Sequence, residues 1–190
     1  MGDELPKAVS EASFERTADG VRPVGEGWFV VNVADLAARG NARMGITCSP
    51  EPRDVAFAEF GVNLRVLEPG QFNARYHREN DQEAFLVLWG ECILIVEGEE
   101  RLLRSGDFFY SPPLTGHVFV GAGDGACTIV MVGGRTQEWC QGEGFPVDAT
   151  AARYGASVAE PTDDPKVAYA DVPDDEPARV LWPPCARTPG

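Results

Sequence analysis

The chain is poor in histidine: among 190 residues only His77 and His117 are found. It also lacks paired cysteines, since Cys48, Cys92, Cys127, Cys140 and Cys185 are odd in number, widely spaced and without a CxxC. That argues against a cysteine zinc cluster or a disulfide framework. The thiols are read as reduced, with Cys92 and Cys127 as small hydrophobes inside apolar runs. No apolar run approaches the roughly 20 residues that a membrane span needs. The first twenty residues have neither a basic start nor an apolar stretch, which argues against a signal peptide, and Pro6 breaks the myristoylation pattern. Basic stretches are missing too. The net charge is −14, from 30 acidic and 16 basic residues shared evenly along the chain. Nothing in it can track a phosphate backbone, so nucleic acid is not an expected partner. A cytoplasmic protein without a membrane partner is the expectation.

What is present is a succession of short strands. Val62–Leu67, Glu83–Trp89, Glu91–Val96, Arg101–Leu103, Asp107–Ser111, His117–Val120 and Cys127–Val132 are each bounded by turn residues. Glu97-Gly98 predicts a tight hairpin and Ser105-Gly106-Asp107 another reversal. Such a series predicts an all-β sandwich or closed barrel over residues 62–134. Upstream, residues 1–25 read as an arm or short helix, Gly27–Val33 as a strand, Ala34–Arg39 as a helix stopped by Gly40, and 41–61 as a loop. Downstream, residues 135–190 form an acidic, Pro-rich extension, with a helix over Asp148–Tyr154 capped by Asp148 and a tail suited to wrapping a partner. Several barrel strands are apolar on both faces, so their outer faces need cover, either from the N-terminal strand or, as expected here, from a second copy in a homodimer.

The two histidines fall in similar surroundings. One segment runs Gly70-QFNARY-His77-R-Glu79-NDQ-Glu83-AFLVLW-Gly90, the other Gly106-DFFYS-Pro112-PLTG-His117-VFV-Gly121. In an extended stretch His77 and Glu79 emerge on one face, a reversal through Asn80-Asp81 brings up Glu83, and the Pro-Pro turn fixes the approach of His117. Two imidazoles with one or two carboxylates suit a divalent Zn, Fe, Mn or Ni ion. The metal-ligand set read from the residues is therefore His77, Glu79, Glu83 and His117. Glu83 is the firmer carboxylate, because it opens an apolar strand where an unpaired charge is costly. Glu79 stands in a charged run and is equally readable as solvated. Glu79 and Glu83 are also the candidate catalytic proton carriers. Tyr76, Phe85, Trp89 and Phe119 are expected around a pocket for a small molecule, although aromatics at strand spacing also simply fill barrels.

These segments resemble the two motifs of the cupin superfamily: a glycine, five residues, His-x-His, three or four residues, Glu, six residues and Gly; then a glycine, five residues, Pro-x-Gly, two residues, His, three residues and Asn. Glu83 to Gly90 and Gly106 to Pro112 match in spacing. The departures are the six residues between Gly70 and His77, Glu79 in place of the second histidine, Leu114 in place of a glycine and Gly121 in place of the asparagine. A second register would set Tyr76 and Arg78 at the histidine positions. The resemblance implies a double-stranded β-helix, a jelly-roll-like barrel with short peripheral helices, often dimeric, with the metal inside. It supports His77, Glu83 and His117 as ligands.

That fold hosts many activities. The sequence predicts a divalent-metal-binding protein acting on a small molecule, with oxygenase or isomerase chemistry in view. The alternatives are a non-catalytic metal or small-ligand binding module, and a metal-free barrel in which His117 acts alone as a base.

Overall fold

In the computed structural model, which describes residues 8–52, 54–136 and 144–180, twelve strands and two short helices follow one another. The strands ahead of the barrel are β1 (Ser13–Thr17), β2 (Gly20–Val24), β3 (Ala38–Asn41) and β4 (Gly45–Cys48). The barrel strands are β5 (Phe60–Leu67), β6 (Glu83–Trp89), β7 (Glu91–Val96), β8 (Glu99–Arg104), β9 (Phe108–Ser111), β10 (His117–Ala122) and β11 (Cys127–Gly134). The helices α1 (Ala149–Ala152) and α2 (Pro165–Ala168) and a last strand β12 (Glu176–Ala178) complete the order. Cys140, Cys185, Pro183-Pro184 and the Met1-Gly2 terminus lie outside the described residues.

One sheet runs β12-β3-β4-β5-β11-β6-β9 and another β10-β7-β8. Side chains from both, including Leu67, Phe85, Val87, Leu94, Phe119 and Ile129, form one buried cluster. This is the double-stranded β-helix that the family resemblance implies, with two short helices beside it among the described residues. The Glu97-Gly98 hairpin has φ 49° and 78° at its two central residues, the left-handed pair that matches strand twist. Cys48, Cys92 and Cys127 are buried free thiols.

The chain covers its own outer faces. Leu64, Val66, Leu88 and Val130 point away from the barrel interior and pack with Leu36, Ala38, Cys48 and Val180. Ile95, Val118 and Val120, on the outside of the small sheet, pack with Phe72, Tyr76, Ala151 and Ala156. Much of the apolar surface that suggested a homodimer is thus hidden within one chain.

The terminal segments correct several expectations. Residues 13–24 form the β1–β2 hairpin rather than a helix. Gly27–Val33 is not a strand; Trp28 makes a single bridge to Glu11 and is exposed. Ala34–Arg39 is not a helix either. Asn32 caps one 3-10 turn at Val33–Asp35, and Leu36 is already extended. From Ala38 the chain pairs with β4 and β12; strand pairing and burial of Leu36 and Ala38 outweigh local helix propensity. The 41–61 loop contains β4. Asp148 does cap α1, its side chain accepting from Ala151 N. Beyond it, the acidic segment folds onto its own barrel through residue 180. Buried Arg75 holds it by an ion pair to Asp171 and bonds to the carbonyls of Gly155 and Ala168. No helix among the described residues is long and apolar enough to cross a membrane.

Two departures from the motif spacing have local causes. At Gly121 a Cβ would lie 2.3 Å from Glu68 O, so no side chain fits where the motif has asparagine. Leu114, in place of the motif's glycine, takes a left-handed conformation at φ 66°, with its side chain exposed. A left-handed L-residue costs roughly 1–2 kcal/mol. Leu114→Gly relieves that strain and gives back part in unfolded-chain entropy, so it should stabilise the protein by about 0.5–1 kcal/mol. Denaturant midpoints check this; an unchanged or lowered midpoint contradicts it.

Candidate metal centre

His77 and His117 sit opposite each other across an antiparallel bridge. His77 N donates to His117 O at 3.2 Å, and His117 N donates to His77 O at 3.0 Å. Directly opposed residues put their side chains on the same face, and the ring centroids are 4.9 Å apart. The next bridge along is Phe72 with Val120. The chain therefore takes five steps from Phe72 to His77 against three from Val120 to His117. The 72–77 segment thus bulges by two residues against its partner, and His77 comes into register with His117. In the other register Tyr76 would stand here; it lies instead in the cluster outside the small sheet.

The rings are oriented by main-chain carbonyls. His77 Nδ1 lies 2.8 Å from Arg75 O and His117 Nδ1 lies 3.0 Å from Thr115 O. Each Nδ1 therefore carries the proton, and each Nε2 presents a lone pair inward. Glu83, at the start of β6, completes the group: ligand atoms of His77, Glu83 and His117 all lie within 4.8 Å of one another. Glu83 Oε2 is 3.3 Å from His117 Nε2, yet both atoms are buried without a hydrogen bond. The imidazole lone pair and the carboxyl face each other without a hydrogen bond joining them. Two neutral imidazoles and one carboxylate are a fitting donor set for a divalent ion.

Burial sets the protonation of the group. It pushes the Glu83 carboxyl up to about 8, with the Glu79 charge adding to the effect. Burial, then the neighbouring His77, holds His117 down at about 3, and burial lowers His77 as well. Glu79, with Oε1 3.7 Å from His77 Nε2, is raised to about 7 by burial and by Asp81. It stands beside the three converging residues and is not one of them.

A cavity of about 370 Å³ opens next to the group, lined by His77, Glu79, Glu83 and Phe85. Its lining also includes Asn63 and Arg65 of β5 and Met131 of β11, which lie on the same sheet as Phe85, together with Asn73 and Arg135. Of the expected pocket aromatics, Phe85 lines this space. Phe119 is fully buried, packed against Phe85 at 4.8 Å between ring centroids. Tyr76 and Trp89 do not line it. The expectation for Trp89 fails because the register shifts at Thr128/Ile129, pairing Trp89 with Thr128 and Val87 with Ile129, and its side chain is left exposed. The polar wall is what sequence reading missed. Asn63 and Arg65 alternate with Val62, Leu64 and Val66, a pattern that reads as a solvent face unless the apolar side is known to be covered.

Residues 63–133 match the family model described as Cupin domain. Among solved structures, the chain is 30% identical to a sugar phosphate isomerase from Silicibacter pomeroyi, covering 46% of this chain and 60% of that one with TM-score 0.41. It is 28% identical to a candidate sugar phosphate isomerase from Acidithiobacillus ferrooxidans, covering 40% and 51% with TM-score 0.39. It thus spans about half to three fifths of these two proteins. An RmlC-like double-stranded β-helix protein from Methanocaldococcus jannaschii is 18% identical, with 46% and 88% covered and TM-score 0.40. No curated protein matches the chain.

The raised carboxyls give metal-free protein a distinctive pH response. Folded Glu79 and Glu83 keep protons that the unfolded chain releases near 4.5, so their contribution is lost as pH rises through about 7 and 8. The depressed histidines act in the opposite direction, but only below their ordinary 6.5. Between pH 6.5 and 9 the thermal midpoint of chelator-treated protein should therefore fall, and Glu83→Gln should remove most of the fall. A midpoint that rises over this window contradicts the assignment.

Proposed function

The chain belongs to the cupin superfamily, and from that premise we propose that it is a metal-dependent enzyme acting on a small molecule inside the barrel. His77, Glu83 and His117 hold a divalent ion, and Glu79 carries a proton at the edge of the same cavity. The observation behind this reading is the buried pair of unbonded polar atoms, Glu83 Oε2 and His117 Nε2, facing one another beside an open cavity. Buried polar atoms without partners are rare, and one cation satisfies both. When bound, the ion supplies Lewis acidity and a fixed point of attachment for a substrate oxygen.

The chain's own residues do the rest. The carbonyls of Arg75 and Thr115 keep each imidazole in the metal-binding tautomer. Phe85 and Phe109 pack edge-on to His117, at 5.1 and 5.8 Å between centroids, and shut water from the inner side. Glu79 is poised near neutrality, where a carboxyl both gives and accepts a proton. Of oxygenase and isomerase chemistry, that acid–base group favours proton transfer of the isomerase kind. A purely binding role would suit a filled interior, whereas the cavity beside the donors is open. His117 acting alone as base is disfavoured by its low proton affinity, since a group at about 3 is a weak base at pH 7.

Titration of chelator-treated full-length protein with Mn(II) and Zn(II) tests the reading. Wild type and Glu79→Gln should each take one ion per chain, with affinities within about tenfold of each other. His117→Ala and Glu83→Gln should lose at least roughly 100-fold, more than the loss of a supporting contact costs. Uptake of no ion by the folded wild type, or full retention by His117→Ala, contradicts it.

A further inference from the structure

The polar wall opposite the histidines contains a guanidinium with no counter-ion in contact. Arg65 lies on the inner face of β5, two residues before core residue Leu67. Its Nη1 donates to Met44 O at 3.2 Å, while its buried Nε has no partner. Tyr169 and Asp175 are the acidic groups whose fields reach it, but no carboxylate forms an ion pair with Arg65 among the described residues. Asp175 itself is bonded to Asn41. Arg135 is matched by both oxygens of Glu51, and Arg75 and Arg43 by Asp171. A buried charge left uncompensated is expensive. Arg65 lines the cavity, so the place for its counter-ion is inside it.

We propose that the cavity takes a small molecule bearing a carboxylate, bound by the Arg65 guanidinium with Asn63 beside it, while the rest of the molecule extends toward His77, Glu83 and His117. The choice of a carboxylate rests on the metal reading. With a divalent cation bound and both Glu79 and Glu83 ionised beside it, the ion and one guanidinium leave a single positive charge to be met, which a monoanion neutralises and a phosphate dianion oversteps. The planar fork of Arg65 matches a carboxylate in two parallel hydrogen bonds. A volume of about 370 Å³ lies near the lower end of the roughly 300–1,000 Å³ of ligand pockets, so the ligand is small. Asn63 and Arg65 thereby acquire a role as specificity-determining residues.

Calorimetric titration of the full chain, with and without Mn(II), uses three probes: glycolate, inorganic phosphate and uncharged ethylene glycol. Glycolate should bind in the millimolar range, phosphate at least tenfold more weakly, and ethylene glycol not at all. Arg65→Met should weaken glycolate at least tenfold, the loss of one charge-assisted contact, with Mn(II) stoichiometry unchanged. Asn63→Asp, at an exposed position on the wall, should weaken it similarly and guards against a folding defect in Arg65→Met. Glycolate binding that ignores both substitutions, or phosphate binding the tighter, overturns the proposal. Mn(II) uptake without glycolate binding overturns it and leaves the metal reading standing. Arg65-dependent glycolate binding in a chain that takes no Mn(II) upholds Arg65 as the anion contact and removes the metal reading instead.

Discussion

The two mutual hydrogen bonds between the main chains of His77 and His117 are the constraint on which the site depends. They join residues forty positions apart and send both imidazoles to one side of the strand pair. Everything around them serves that placement. The bulge after Phe72 corrects the register, Arg75 and Thr115 offer carbonyls to the outer ring nitrogens, and Gly121 lets the loop at Glu68 cross without a side chain in between. Arg75 also anchors the C-terminal segment through Asp171, Gly155 and Ala168. The segment that covers the outside of the small sheet is thus tied to the residue that orients a ligand inside it.

Electrostatics then divides the interior. On the histidine side are two imidazole lone pairs and the carboxyls of Glu79 and Glu83, whose ionisation burial opposes. On the β5 side is the Arg65 guanidinium, its Nε unpartnered and no carboxylate in contact, with Asn63 beside it. Each half is costly alone. A cation answers the first, an anionic ligand answers the second, and the cavity between them admits both.

Much of the fold was legible in the sequence, because period-two alternation and glycine turns survive where strands are short. The limits of β6 and β7 and the cap at Asp148 follow from local chemistry. Ala34–Arg39 misled because helix propensity is a weak preference that pairing with β4 and β12 overrides. At the site, His77 and His117 were visible as the chain's two histidines and Glu83 as the acid that opens an apolar strand, and the structure gathers those three. Glu79 stands beside them. Trp89 was misplaced by a bulge that no periodicity reveals. Asn63 and Arg65 were invisible for a more general reason. On β5 the apolar face is covered by Leu36, Ala38, Cys48 and Val180 while the polar face lines the cavity, so the usual rule of apolar-in, polar-out is inverted.

X-ray absorption at the edge of the bound ion, on protein loaded to one equivalent, tests the central claim most directly. Two imidazole nitrogens and a carboxylate oxygen should surround the ion at about 2.0–2.2 Å, with one nitrogen lost in His117→Ala. A shell of oxygens alone, unchanged by that substitution, would place the ion on the acidic surface and contradict it.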